Sequence, residues 1–548
     1  MDVPVTPWNE PFNVSPEKSK HISNPAGLSR HAGVIVGDDV RKLFEYARAK
    51  KFAIPAINVT SSSTANAALE AAQDSKAPII LQISSGGSEF VGGKGLARGE
   101  GRTIASKHDV MIRGSIALAH YIRSIAPFYG IPVVLHTDHC HPSDTAWLDG
   151  LLAADIEHNS AYQGRLRGLK EARASKESLA KLENDLADFV KNDPPARQRD
   201  VEKAEHALKT AGDSFKEAQK NFSEEADEFK AAKSAVAGAE KTLKSAIKAR
   251  DEEHPARVAA YKHQIALWPK ALEAINREIE AGLKEPLFSS HMIDFSPRSR
   301  EENIAATKKR LETSVEAGTW LEMEIGITGG EEDGHDNSKA DKKKLYTNPE
   351  EIWEVFRGLK DTSGNFSIAA AFGNVHGVYE ADAVKLRPWL LGKHQKYVKA
   401  KLQDPNGDIP GAIVPNQPDD MDPEDVNTDE DPKVSHPVFL VFHGGSGSDP
   451  KEFKEGIKHG VVKVNIDTDT QWAYLQPVRD YVKANLNRLE TQVGIQGSDD
   501  PDDKKKSNKK FYDPREWIRH AEKGMKARVQ LALDEFNATG QWDWKPTE

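Results

Sequence analysis

Eight short apolar runs, with helical stretches between most of them, constrain the fold of this chain more than any other feature. They are Phe52–Asn58, Pro78–Ile83, Ile131–His136, Leu287–Met292, Trp320–Ile325, Ser367–Phe372, Val438–Phe442 and Val461–Ile466. Several are near-continuous Val, Ile, Leu, Phe and Ala, the pattern of strands buried on both faces. Eight such strands with helical crossovers predict an α/β fold, a (β/α)8 TIM barrel. Polar or Gly-rich clusters follow most of them: TSSST, SSGG, TDHC, HMID, GITGGEED, GNVHG, HGGSGS and DTDT. Gly and Asp also punctuate ordinary turns. In a barrel, however, clusters that follow strands converge on one face, where chemistry sits.

The chain has 548 residues, enough for a large core and more than one domain. Its net charge of −10 argues against nucleic-acid binding, and its Lys- and Arg-rich segment is interleaved with acids. No apolar run reaches the roughly 18–20 residues of a membrane span. The N-terminus, MDVPVTPWNEPFNVSPEKSK, lacks both a signal peptide's apolar centre and a transit peptide's basic, acid-poor character. A cytoplasmic protein is the expectation. The single cysteine, Cys140, excludes intrachain disulfides and fits a small packed residue better than a nucleophile.

One segment breaks the strand rhythm. Residues 158–283, rich in Ala, Lys and Glu, separate a first barrel part (33–157) from a second (284–548), with residues 1–32 as an N-terminal extension. Val201, Leu208, Phe215, Phe222, Phe229, Val236 and Leu243 recur every seven positions. Ala204, Ala211, Ala218, Glu225, Ala232, Ala239 and Ala246 follow three residues after each. Such a seam predicts a coiled-coil-like antiparallel helical insertion whose central helix has about 50 residues and spans about 75 Å. Asp193-Pro194-Pro195 and His254-Pro255 mark its expected turns, and Pro269 an expected kink. The insertion leaves a helix and returns before a strand, so it should emerge opposite the chemistry and offer, at most, a surface for a protein partner. The acidic loop 415–433 also precedes a strand and has a disordered composition.

Three histidines carry the chemical signal. His139 lies in HTDHC, His376 in GNVHG and His443 in VFHGGSG, each after an apolar run. Three imidazoles at three strand ends are the donor set of an open zinc site, which keeps a position for water or substrate.

Outside the insertion and the acidic loop, from about Gly33 onward, the chain resembles the class II, metal-dependent fructose-1,6-bisphosphate aldolases. VVLHTDHC and LEMEIGITGGEE carry the resemblance, and PAINVTSSST, PLFSSHMID, AAFGNVHGVY, FHGGSGS, VNIDTDTQW and FYDPREW extend it. The resemblance implies that His139, His376 and His443 bind a catalytic Zn2+, a Lewis acid for the ketone of dihydroxyacetone phosphate. It makes Glu332 the base that removes the proton beside that ketone, and Asp138 the acid facing the aldehyde of glyceraldehyde 3-phosphate. Asp294, Glu324 and Glu331 match positions that hold a secondary metal in some relatives; buttressing the first ion is an equal reading for them. Gly377, Gly444 and Ser446 fit a phosphate, while Asn465, Asp467, Thr468, Asn58 and Ser84 match substrate contacts. Arg515 resembles an arginine that grips the second phosphate across a homodimer interface. A monovalent cation, Na+ or K+, is implied near the Gly377 and Gly444 loops. The implied reaction is reversible cleavage of fructose 1,6-bisphosphate in glycolysis and gluconeogenesis. Tagatose or sedoheptulose bisphosphate remains open as the substrate, as does an aldolase-derived scaffold acting through the insertion.

Overall fold

The computed structural model describes residues 25–30, 32–97, 105–174, 176–221, 226–280, 282–326, 328–332, 335–336, 345–376, 386–407 and 436–542. The acidic loop 415–433 and Gly377 lie outside them. For Glu331, Glu332 and His376 the backbone alone is described. The chain divides into two compact units, Met1–Asn159 with Lys284–Glu548, and Ser160–Leu283.

In the first unit eight parallel strands close on themselves. They are β1 (Ile54–Asn58), β2 (Ile79–Ile83), β3 (Pro132–Thr137), β4 (Ser290–Ile293), β5 (Trp320–Ile325), β6 (Phe366–Ala370), β7 (Leu440–Phe442) and β8 (Val461–Ile466). Each pairs with its sequence neighbour, and β8 pairs back with β1, Lys463 beside Ile54 and Ile466 beside Ile57. The fold is therefore the predicted (β/α)8 barrel, with each strand inside or within a few residues of its apolar run. A short strand, Gly33–Val34, pairs with the start of β3, while β4 pairs with β3 only at His136 and Thr137.

Helices follow the strands, and residues in or just after some of the polar clusters start them. Ser61 caps Ser62–Asp74, Ser84 caps Ser85–Gly92 and Asp449 caps Pro450–Lys458, each accepting a backbone N–H. Between strands and helices the core is aromatic and aliphatic. Trp147, Phe288, Phe372, Phe442 and Phe453 are fully buried, and Phe372 meets Phe442 edge-on at 4.7 Å. Side chains two apart on one strand share a face. That parity pairs His136 with Asp138, Glu322 with Glu324, and Lys463 with Asn465. All six are buried despite their polarity.

The second unit corrects the expected helical layout. The heptad run is not one helix of about 50 residues. It is split between Lys176–Asn221 and a helical stretch formed by Asp227–Lys248, a π-helical turn Ala249–Glu253 and His254–Glu280. The two stretches are antiparallel. Phe215 meets Phe229 with ring centroids 5.2 Å apart, and Phe189 stacks on His254 at 5.0 Å. Neither expected turn breaks its helix: Pro194 and Pro195 lie inside Lys176–Asn221, and His254-Pro255 continues from the π-helical turn. Pro269 also sits within a helix. Around Pro194, Asp193 accepts from Arg197 Nε at 2.5 Å and from His254 Nδ1 at 2.7 Å, which ties the two arms together. Those bonds offset part of what two prolines cost a helix interior. The layout was ambiguous because a heptad run is symmetric about its centre. Folding back between Asn221 and Ala226 sets the large residues opposite one another as well as a straight helix would align them.

Candidate active site

The site is built at the C-terminal ends of the strands. β3 ends at Thr137, and Asp138 N–H extends its ladder by donating to Ile83 O at 3.0 Å. At His139 the backbone turns into the left-handed region, with φ +35°, unusual for a residue with a side chain. The His139 ring comes to 4.7 Å from that of His443, which directly follows β7. Glu324 from β5 completes a cluster: one ligand atom each from His139, Glu324 and His443 lie within 4.8 Å of one another. Glu324 Oε2 is 3.5 Å from His139 Nδ1 and 3.2 Å from His443 Nδ1. Its other oxygen accepts from the Thr328 hydroxyl at 2.8 Å, which holds the carboxylate in place.

Asp294, just beyond β4, lies 3.6 Å from His139 Nδ1, and its other oxygen accepts from Ser296 N–H and Oγ. Burial opposes ionisation of Asp294, but His139 and the Ser296 donors outweigh it and lower its pKa. His443 is buried too, which disfavours its charge. Glu324 and Glu322 reverse that and raise the imidazole to about 9. A half-buried and a buried imidazole with converging carboxylates form a donor set suited to a divalent ion of the zinc type.

Asp138 is fully buried beside this cluster. Its carboxylate accepts from three amides: Asn58 Nδ2 at 3.2 Å, Gln82 Nε2 at 2.9 Å and Asn465 Nδ2 at 3.3 Å. Thus β1, β2 and β8 together orient one acid from β3.

The Gly-rich turn after β7 is fixed tightly. Gly444 has φ +63°, and a Cβ on Gly445 would meet Asn465 O at 2.7 Å. Asp469 N–H donates to Ser446 Oγ at 3.3 Å, and Arg528 holds the Asp469 carboxylate at 2.9 Å. Asp467 precedes the helix Thr468–Ala484 and accepts from Gln471 Nε2 at 2.8 Å. Ser84 uses its hydroxyl as a helix cap. Arg515 is exposed at the start of Pro514–Glu535, and its guanidinium pairs with Asp513 at 2.6 Å. Cys140 is buried, and burial pushes its thiol far up, as befits a packed residue.

His376 lies in the strand Val375–His376, which pairs in parallel with Gly329–Gly330. The strand Gly329–Glu332 continues directly into Glu331 and Glu332. The backbone thus places the third histidine beside the paired acids; their side chains lie outside the described residues.

Sequence reasoning missed three residues of this site, Gln82, Glu322 and Lys463, and gave His136 only a hydrogen-bonding or surface role. Lys463 Nζ is 2.8 Å from Glu322 Oε1 and 3.2 Å from His136 Nε2; His136 Nδ1 shares a 2.8 Å hydrogen bond with Ser290 Oγ. Burial, reinforced by Lys463, holds the His136 imidazole well below its usual range. Polar residues at alternate positions of otherwise apolar strands, as in LEMEI and VVKVNI, were the available signal.

Comparison with known proteins decides the family. The family described as class-II fructose-bisphosphate aldolase matches residues 38–157 and 204–541. The chain belongs to that family. It is 42% identical over 513 residues to the fructose-bisphosphate aldolase of Neurospora crassa, covering 94% of this chain and 98% of that one. To the Saccharomyces cerevisiae fructose-bisphosphate aldolase it is 40% identical over 512 residues, covering 93% and 98%. The crystal structure of the Campylobacter jejuni fructose-bisphosphate aldolase superposes with a TM-score of 0.57 at 31% identity, covering 93% of this chain and 97% of that chain. Among the described residues no helix of this family member is long and apolar enough to cross a membrane.

Proposed function

We propose that the protein is a zinc-dependent aldehyde-lyase that reversibly cleaves fructose 1,6-bisphosphate to dihydroxyacetone phosphate and glyceraldehyde 3-phosphate. The observation that carries this reading is the His139–Glu324–His443 cluster beside a buried acid, Asp138, held by three amides. His139, His443 and, from its neighbouring strand, His376 would hold the ion. When bound, it supplies Lewis-acid polarisation of the substrate ketone. Glu324 and Asp294 stand against His139 and either buttress the histidines or, with Glu331, hold a second metal ion.

The chain's own groups perform the proton transfers. Asp138 exchanges a proton with the oxygen of the aldehyde half, and Asn58, Gln82 and Asn465 fix its carboxylate in one orientation for that transfer. Glu332 exchanges a proton with the carbon beside the ketone; it ends the strand whose Gly330 pairs with His376. The turn Gly444–Ser446 and, by the same reading, Gly377 offer backbone N–H groups to one phosphate. Asn465, Asp467 and Thr468 frame the substrate hydroxyls, Asn58 and Ser84 its other edge, and a monovalent cation sits near the glycine turns. Arg515, exposed in one chain, takes the second phosphate of a partner subunit in a homodimer. The same reading makes this a cytoplasmic enzyme of glycolysis and gluconeogenesis. Residues 33–157 and 284–548 form its catalytic barrel, and 158–283 an accessory helical segment.

The test is cleavage of fructose 1,6-bisphosphate by the purified protein before and after EDTA, then with zinc restored. Activity lost on chelation and recovered with zinc is expected. A zinc-loaded protein that leaves this sugar intact but cleaves tagatose or sedoheptulose bisphosphate would reassign the substrate.

A further inference from the structure

Among the described residues, Lys463 is a buried charge of the barrel interior that the proposed reaction leaves unused. It is 1% exposed, and lysine is almost never so buried unless paired. It stands on β8, and its Nζ lies 2.8 Å from Glu322 Oε1 on β5 and 3.2 Å from His136 Nε2 on β3. The same Glu322 oxygen accepts from His443 Nε2 at 3.0 Å. An imidazole has two nitrogens. With Nε2 committed to Glu322, Nδ1 is the one presented to Glu324 and His139.

We propose that Glu322, held by Lys463, is a positioning residue that sets the rotation of His443 and so aims its Nδ1 at the metal cluster. This rests on the metal-site reading above. The parity of β5 supports it. Glu322 and Glu324 share a face, one taking each nitrogen of a single histidine ring, so the ring is clamped from two levels of the barrel. His136 completes the lower level and is itself tied to Ser290, so Lys463 cannot swing away without leaving its partners. A bare structural ion pair would need neither the shared oxygen nor the contact to His443.

Zinc affinity separates positioning from mere packing. Removing one partner of a buried pair strands a charge, so both are neutralised together. Glu322→Leu with Lys463→Met removes the acceptor for His443. Glu322→Gln with Lys463→Met keeps a carbonyl oxygen there. Zinc dissociation constants are read by competition with a chromogenic chelator, and the melting temperature of each metal-free chain is measured alongside. The Leu pair should weaken zinc binding about 10–100-fold, the usual effect of losing a partner behind a metal-bound histidine, with the metal-free melting temperature maintained. The Gln pair should stay within about threefold of the parent. Parent-like zinc affinity in the Leu pair overturns the proposal. So does an equal loss in both, and the Gln pair still decides on that count if the Leu pair fails to fold. A parent chain that binds no zinc would instead overturn the metal-site reading itself.

Discussion

Asp138 concentrates the residue-scale argument. Three amides donate to one buried carboxylate, so its geometry is set before any substrate arrives. Asp138→Asn keeps the volume but cannot exchange the proton, and its own NH2 group faces other donors. Cleavage by this variant should fall about 10²–10⁴-fold in kcat, with KM changed little; a kcat within a few-fold of the parent would remove Asp138 from the proton path. His394 gives a second residue-scale prediction. It is buried on the helix Trp389–Gln403, shares a 2.8 Å hydrogen bond with Thr347 O, and burial lowers it to about 4 despite that bond. The unfolded chain takes this proton near 6.5, so between 6.5 and 4 the unfolded state holds more protons and stability falls with falling pH. The loss approaches about 3 kcal/mol at the acid end and is absent above 6.5. His394→Gln keeps a donor for Thr347 O and should flatten this part of the curve, read from denaturant midpoints across the window. Parallel curves for the two chains would refute the assignment. His139, His443 and Asp138 were legible in the sequence because they follow strands in polar motifs. Glu322, Lys463 and Gln82 were not, because an inward polar residue inside an apolar strand looks like an interruption until parity is read across several strands at once.

At the scale of elements, the eight strands were legible and the insertion only in part. A strand buried on both faces writes itself as an apolar run whatever its neighbours do. A heptad seam records which face is covered but not by what, and one covered by its own fold-back reads like one in a straight helix. Phe215 against Phe229 shows the fold-back, and Pro194-Pro195 shows that two prolines do not end a helix braced from the opposite arm. Phe229 is 8% exposed. Phe229→Ala should cost the hairpin about 3 kcal/mol and give an earlier, separate thermal transition, while cleavage is maintained. A single unshifted transition would mean that the two arms do not depend on this contact.

At the scale of the molecule, the proposed ion ties together strands that sequence separates widely. His139 follows β3, Glu324 is on β5 and His443 follows β7. A ligand that binds only the folded barrel stabilises the whole of it by about 2.7 kcal/mol at one hundred times its dissociation constant. The insertion leaves the first unit after Asn159 and rejoins it at Lys284, ahead of β4, so none of these ligand-bearing strands runs through it. Deleting Arg165–Gly282, with a short Gly/Ser bridge in its place, cuts the two arms at facing positions, since Gln163 Nε2 donates to Leu283 O at 2.7 Å. The shortened chain should show the same zinc-induced rise in melting temperature as the full chain, reversed by EDTA, and the same kcat. A folded shortened chain that binds zinc but cleaves slowly would assign the insertion a part in catalysis. One that no longer responds to zinc would show that the barrel cannot assemble its ligand set without the helical segment.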